Sequence, residues 1–482
     1  MAYETVIGLE VHAQLNTKSK IFCASSAAFG GGPNEHTCTV DLGLPGVLPV
    51  LNRQVIEYTL RLGLAVGAEI APVCRFARKH YFYPDLPKGY QISQYEEPIC
   101  SGGSVHFVTR EGRDVNVNLT RIHMEEDAGK LIHGDELGDP NHSYSDLNRA
   151  GVPLLEIVSE PELRNPEDAE SYMRKLRTLV RYLGISDGNM QEGSLRCDAN
   201  ISLRPEDSEK FGEKVEIKNM NSFRNLRRAL EFEEKRQREI LDAGGVIHQE
   251  TRLWDESAGV TRGMRSKEYA HDYRYFPDPD LVPLTVDAEW LDEVRAQMPE
   301  LPDAKSKRFQ DDYGLPRYDA EVLTSEKELA AYFDRVVAAT GKEQAKAASN
   351  WVMGDVLRLL NEKKIAIEEC PVSPERLAEM LSLIDDGTIS GKIAKTVFDQ
   401  VAESGKSPEA IVEEKGLRQI TDTSAIESVV EDVIASNPEE VEAYRGGKTK
   451  LMGFFVGQVM KATGGKANPK ALQEILGEKL GG

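Results

Sequence analysis

Between residues 4 and 15 apolar and polar positions alternate. Ile7, Leu9, Val11, Ala13 and Leu15 share one side, while Val6, Gly8, Glu10 and His12 share the other. A period of two marks a β-strand with one buried face, which leaves Glu10 and His12 side by side on an open face. The alternation returns twice. Residues 115–119 lead as a strand into His123-Met124-Glu125-Glu126-Asp127-Ala128-Gly129-Lys130, and residues 196–203 set Asp198, Asn200 and Ser202 against Ala199, Ile201 and Leu203. Residues 154–158 are an apolar strand interrupted by one carboxylate, Glu156, and residues 215–219 offer a neighbour for the 196–203 strand.

Residues 227–241 switch to the period of a charged amphipathic helix, closed by Gly244-Gly245. Beyond the two prolines at 299–302 the pattern is helical, over 321–337 and 374–384 for example, with tight turns such as Asp385-Asp386-Gly387. Gly405-Lys406-Ser407-Pro408 marks a linker before a last helical stretch. The chain thus divides into a strand-rich part over 1–295, an all-helical part over 296–406 and a small helical tail over 407–482.

Composition narrows the picture. At 482 residues, 40% hydrophobic and 29% charged, this is a globular chain of several domains, with no apolar run near the roughly 20 residues of a membrane helix. Strand-like sequence from Tyr3 onward leaves no room for a signal peptide, so a cytoplasmic location is expected. The six cysteines (23, 38, 74, 100, 197 and 370) form no CxxC pair and suit free thiols in a reducing compartment. A net charge of −21 argues against non-specific binding to DNA or RNA by the molecule as a whole. Residues 445–470 stand out against it: Arg445, Lys448, Lys450, Lys461, Lys466 and Lys470 occur there without a single acid, a local footprint for RNA.

The candidate chemistry lies in the carboxylates. Glu125, Glu126 and Asp127 repel one another, and holding them at a strand end costs free energy unless a cation offsets it, which points to oxygen-ligated Mg²⁺. Glu156, inside an apolar strand, must be protonated, paired or metal-bound. Pleat geometry sends Glu125 and Glu126 to opposite faces of a continuous strand, so either the strand ends there or only one of them reaches the ion. Residues 79–94, dense in aromatics and carrying Lys79 and Lys88, form an irregular loop that lines a cleft or packs on the core, and residues 271–280 repeat its style. Two fragments imitate a phosphate loop, Gly405-Lys406-Ser407 and Gly447-Lys448-Thr449, but Gln400 and Glu442 stand where each needs its leading glycine. GxGxxG, HExxH and GxSxG are absent, which excludes Rossmann hydride transfer, zinc proteolysis and nucleophile-elbow esterase chemistry.

Several motifs in one order resemble a known family: Ile7-Gly8-Leu9-Glu10-Val11-His12, Leu42-Gly43-Leu44-Pro45-Gly46, Tyr83-Pro84-Asp85-Leu86-Pro87-Lys88-Gly89-Tyr90-Gln91, the His123–Lys130 stretch, Gly193-Ser194-Leu195-Arg196-Cys197-Asp198-Ala199-Asn200, Asp272-Tyr273-Arg274-Tyr275-Phe276-Pro277 and Gly453-Phe454-Phe455-Val456-Gly457-Gln458. The chain is similar, essentially end to end, to the B-subunit family of bacterial aspartyl/glutamyl-tRNA amidotransferases. The resemblance implies an α+β fold: a cradle-shaped catalytic domain akin to glutamine synthetase, then a helical domain and a tRNA-contacting helical tail. It implies ATP-dependent phosphorylation of the side-chain carboxylate of a misacylated tRNA, then amidation by ammonia from a partner amidase, with a small third subunit completing a heterotrimer. Matching positions make His12, Glu125 and Glu156 metal ligands, Glu10, Glu126 and Asp198 catalytic, Lys79, Lys88 and Asn200 ATP contacts, and Lys448, Lys450, Lys461 and Lys466 tRNA contacts. The cofactors implied are ATP and Mg²⁺. The chain departs from the family at its zinc knuckle, where Cys23 and Cys38 remain but Ser25 and Asp41 stand in place of the other two of four cysteines, which argues against zinc. Two rival readings are a tRNA-binding scaffold with a decayed site and a self-sufficient ligase using free ammonia.

Overall fold

The computed structural model describes residues 2–109, 111–264, 273–419 and 423–481. The chain separates into two compact units, Met1–Leu301 and Pro302–Gly482.

The first unit is built on a ten-stranded sheet. Its centre is β1 (Tyr3–Gln14), β2 (Asp114–Glu126), β3 (Pro153–Ser159), β4 (Leu195–Pro205) and β5 (Val215–Lys218), in the spatial order β5-β4-β1-β3-β2. These five pair antiparallel, while β5 pairs parallel with Glu250–Asp255. The period of two survives as burial: Ile7, Leu9, Val11 and Ala13 are buried, and Gly8, Glu10, His12 and Gln14 are half-exposed. Val6 and Ser202, read from the sequence as open-face residues, oppose each other in the register and are both buried.

Three helices cover the buried face: α1 (Arg53–Ala65), α2 (Pro166–Tyr182) and α3 (Phe223–Asp242). Side chains of Asn52, Asn165 and Ser222 cap their first turns and satisfy amides that would otherwise lack a partner. On α3, Leu226, Ala229, Leu230, Glu233 and Gln237 are buried at helical spacing. Leu60, Leu62, Tyr172, Met173, Leu176, Leu226 and Leu230 meet Leu9, Val11, Ile157 and Ile201 in one core. Helices on one face leave the other free to carry a site.

β2 contains the irregularity that matters most. Val158 opposes Arg121 but Ser159 opposes Leu119, so Thr120 is skipped. An extra residue in one strand inverts the facing of everything beyond it. Before the skip the core-facing residues are Val117 and Leu119; after it they are Ile122 and Met124, and Arg121, His123 and Glu125 turn to the open face. Beside the main sheet, Ala77–His80, Tyr90–Ser93 and Phe276–Pro277 form a three-stranded sheet.

The second unit is helical and holds two hydrophobic clusters, one from Phe309 to Val412 and one from Ile426 to Leu480. Gly405-Lys406-Ser407-Pro408 is a helix–helix joint: Gly405 ends one helix in the left-handed conformation, and Ser407 caps the next. Among the described residues no helix is long and apolar enough to cross a membrane.

Candidate metal and carboxylate site

One rung of the sheet sets the site. His123 on β2 opposes Glu156 on β3, Glu156 opposes His12 on β1, and His12 opposes Arg196 on β4. Directly opposed residues share a face, so strand order alone gathers these four, and Glu125 joins them two positions along β2. His12 Nε2 lies 3.4 Å from Glu125 Oε1 and 3.6 Å from Glu156 Oε2. His123 Nε2 lies 3.3 Å from Glu156 Oε2 and 3.9 Å from Glu125 Oε2. Donor atoms of His12, Glu125 and Glu156 all lie within 4.8 Å of one another.

Burial opposes charge on Glu156, yet hydrogen bonds from His12 and His123 hold its carboxyl far below the usual range. Burial likewise opposes charge on His12, and there the neighbouring Glu156 and Glu125 outweigh it and push the imidazole up. The pocket therefore attracts positive charge. Among the described residues no lysine or arginine pairs with Glu125 or Glu156; Arg196 turns away to Asp127 Oδ2 at 2.9 Å, which Gln14 Nε2 also contacts at 2.8 Å. Two carboxylates and two imidazoles on three adjacent strands fit a divalent ion.

Glu126 is not in this cluster. Its carboxylate faces the other way, pairs with Lys88 Nζ and accepts the Ile92 amide at 2.9 Å. The open question about the two glutamates is thus decided by the skip at Thr120: Glu125 faces the pocket. His123, to which the sequence assigned no role, also faces it, at 2% exposure and with no partner for Nδ1.

A second row occupies the same open face. Asn200 Nδ2 donates to Glu10 Oε1 at 2.9 Å, and Glu10 opposes Asp198. Lys218 Nζ lies 2.6 Å from Asp198 Oδ2 and 3.0 Å from Glu216 Oε1, while Thr251 Oγ1 donates to Glu216 Oε2 at 2.8 Å. Burial works against the Lys218 ammonium, but Asp198 and Glu216 more than compensate and raise its pKa. Lys218 and Glu216 were overlooked in the sequence, although the alternation of β5 already put them beside Asp198 and Asn200.

Aromatic side chains wall the pocket. Burial first, then the nearby Glu125, push the Tyr81 and Tyr275 hydroxyls well above the usual range. Tyr275 stacks on Tyr95 at 4.2 Å, and Lys79 Nζ sits 5.0 Å over the Tyr273 ring. His271 and Asp272 of this motif lie outside the described residues.

Cys23, Cys38 and Asp41 also converge within 4.8 Å, yet they do not fit a structural zinc. Fully buried Lys20 places its ammonium 3.2 Å from Asp41 Oδ2 and so already neutralises the carboxylate. Burial, reinforced by Asp41 and Cys38, pushes the Cys23 thiol up to about 12, so it stays protonated. Two thiols and a paired carboxylate fall short of the four ligands such a site needs.

Residues 5–292 match the GatB/GatE catalytic domain, and residues 331–480 match the GatB domain. The chain belongs to the GatB/GatE family. It is 58% identical over 480 residues to the B subunit of the aspartyl/glutamyl-tRNA(Asn/Gln) amidotransferase of Syntrophotalea carbinolica, across 100% of this chain and 99% of that protein. Identity is also 58% over 480 residues to the protein of the same name from Moorella thermoacetica, with 100% of both chains covered. The same 58%, over 482 residues, holds for its counterpart in Geotalea uraniireducens. Within the GatB/GatE match fall both rows of the open face, while Lys448, Lys450, Lys461 and Lys466 fall in the GatB domain match. The first three of these lysines are exposed and Lys466 is half-buried; none pairs with a carboxylate among the described residues.

Proposed function

We propose that this chain is the B component of a tRNA-dependent amidotransferase, which activates the side-chain carboxylate of a misacylated Asp-tRNA(Asn) or Glu-tRNA(Gln) with ATP and converts it to the amide. The observation that carries this reading is the convergence of His12, His123, Glu125 and Glu156 from three strands onto one open face, in a chain that matches the family over both its parts. Such a face is the floor of a cradle like that of glutamine synthetase.

His12, Glu125 and Glu156, with His123 beside them, would hold Mg²⁺. That ion supplies the positive charge that lets a phosphate approach a carboxylate. His12 ligates through a neutral imidazole, so protonation of His12, which Glu156 and Glu125 favour, competes with loading of the site. Lys79, set against the Tyr273 ring, adds a cation at the wall. The substrate carboxylate attacks the γ-phosphorus, ADP leaves, and ammonia then attacks the acyl carbon as phosphate departs. Glu10, which accepts from Asn200, and Asp198, which pairs with Lys218, would take the proton that ammonia loses. The tyrosine wall keeps water from the activated acyl group.

Nothing in this chain resembles a glutaminase nucleophile, so the ammonia comes from a partner amidase, with a small third subunit completing a heterotrimer. Lys448, Lys450, Lys461 and Lys466 engage tRNA phosphates. A decayed scaffold is disfavoured because the metal cluster and the Glu10 row are both complete. The test is the reconstituted complex with ATP, Mg²⁺, glutamine or ammonium, and each misacylated tRNA. Amidated product formed only with ATP supports the reading, and absence of product from both tRNAs with either nitrogen source refutes it.

A further inference from the structure

The loop over 81–89 holds its backbone tightly but leaves a phenyl ring in solvent. Tyr81 N donates to Gly89 O at 3.2 Å, Gly129 N to Asp85 O at 2.9 Å and Ser145 Oγ to Pro84 O at 3.1 Å. Leu86 is buried, and Lys88 pairs with Glu126. Phe82 nevertheless is 92% exposed. Its ring rests on Gly89, whose φ is +73° and where a Cβ would stand 2.9 Å from the ring. A solvent-facing ring forgoes the burial a phenylalanine otherwise contributes to folding, and with Tyr83 exposed next to it in the chain the two offer an aromatic surface to a partner.

The surroundings indicate which contact. The exposed large apolar side chains of 29–50 are mostly aliphatic: Phe29, Leu42, Leu44, Leu48 and Val50. Those of 79–95 and 273–277 are all aromatic, namely Phe82, Tyr83, Tyr95 and Phe276, and Lys79 in the same stretch pairs with no carboxylate among the described residues, whereas Lys88 is taken up by Glu126. Aromatic faces beside a cation suit nucleobases next to a phosphate backbone. The loop is tied to Gly129 through Asp85 O at 2.9 Å and to Glu126 through Lys88, and Glu126 follows Glu125 directly, so the platform adjoins the reacting centre. A free mononucleotide is normally enclosed over most of its surface, whereas this ring stands open, as a base arriving at the end of a large molecule requires.

We propose that Phe82 is the stacking platform for the unpaired 3′-terminal adenine of the aminoacyl-tRNA, which sets the esterified amino acid over the carboxylate site. This rests on the amidotransferase reading above.

The experiment compares the reconstituted heterotrimer with its Phe82→Ala and Phe82→Trp variants. Phe82→Ala should raise KM for misacylated tRNA roughly five-fold or more, with kcat and KM for ATP within about two-fold, and Phe82→Trp should restore it. In parallel, uncharged tRNA ending in 2-aminopurine should change fluorescence on binding the parent complex and not on binding Phe82→Ala. An unchanged tRNA KM and an unchanged fluorescence response overturn the proposal. So does a rise confined to KM for ATP, which makes the ring a mononucleotide contact, or loss of the heterotrimer by sedimentation, which makes it a contact between subunits. Failure of the parent complex to amidate refutes the amidotransferase reading instead, and the 2-aminopurine signal still tests the ring.

Discussion

Glu125→Gln separates the metal cluster's contribution to binding from its contribution to folding, because it removes one negative charge and keeps the side chain's volume. Without a bound ion two Coulomb terms oppose each other. Glu125 Oε1 lies 3.4 Å from His12 Nε2, and at an effective dielectric near 20, losing that attraction to a protonated His12 costs about 5 kcal/mol. Donor atoms of Glu125 and Glu156 lie within 4.8 Å, and relief of their repulsion returns at least about 3.5 kcal/mol on the same scale. The metal-free variant should therefore lose at most about 1.5 kcal/mol of stability. With the ion present the balance differs, since a ligand that binds only the folded state adds about 2.7 kcal/mol at a hundred times its Kd. For a unit of about 300 residues that is a rise in Tm of about 4 °C. Thermal melts in a chelator and across a Mg²⁺ or Mn²⁺ titration should show this rise for the parent chain and none for Glu125→Gln. ATP-dependent amidation should vanish in the variant while tRNA binding persists. A variant that still melts higher with metal and still amidates would remove Glu125 from the ligand set.

Replacing both Lys448 and Lys450 with Ala should weaken tRNA binding and lower the slope of log K against log salt by about one per lysine; an unaltered slope moves the phosphate contact elsewhere. In the second unit, Asp319 accepts from Lys346 Nζ at 2.6 Å and Ser349 Oγ at 2.7 Å. Burial would raise its pKa, but these two partners win and hold it below the ordinary 3.8. The pairing therefore stabilises the fold in full above that ordinary value and is lost as pH falls through the lower, folded value. Asp319→Asn should reduce the denaturant midpoint at neutral pH, with the gap to the parent closing in strong acid; a gap that persists there refutes the pairing's role. Elemental analysis of the purified chain should find zinc well below stoichiometric, and a thiol-directed chelator should leave Tm unchanged, because Lys20 already neutralises Asp41. Stoichiometric zinc would overturn that account.

How far the site was legible depended on which physical signal each residue left. Glu10 and His12 were visible because an unbroken alternation runs through 7–13 and separates a buried side from an open one. Glu156 was visible as a charge among apolar neighbours, which must find compensation. Lys218 and Glu216 were equally accessible in principle: once β5 is taken as the neighbour of β4, alternation sets them beside Asp198 and Asn200. The pairing of residues 215–219 with 196–203 was expected and is observed, whereas the order of the other central strands was not expected from the sequence. Helix limits followed local chemistry, and α3 begins earlier than its apolar spacing suggested because Ser222 caps it.

The facing of Glu125 and Glu126 turns on one phase change in the apolar pattern, from Val115, Val117 and Leu119 to Ile122 and Met124. Period two predicts that the two point to opposite sides, but which side each takes depends on counting from a residue whose facing is known. Counting from Val117 and Leu119, both buried, an unbroken strand would turn His123 and Glu125 into the core and Met124 and Glu126 to the open face. The skip at Thr120 reverses this. Threonine itself is an ordinary strand residue, and the signal is the two-residue gap between Leu119 and Ile122 in the apolar alternation. Burial on both sides then enforces it: Ile122 and Met124 are fully buried, and a return to regular pairing would expose them while driving two titratable groups into the core. The His–Glu cluster is thus held in place by apolar residues on the opposite face of its strand.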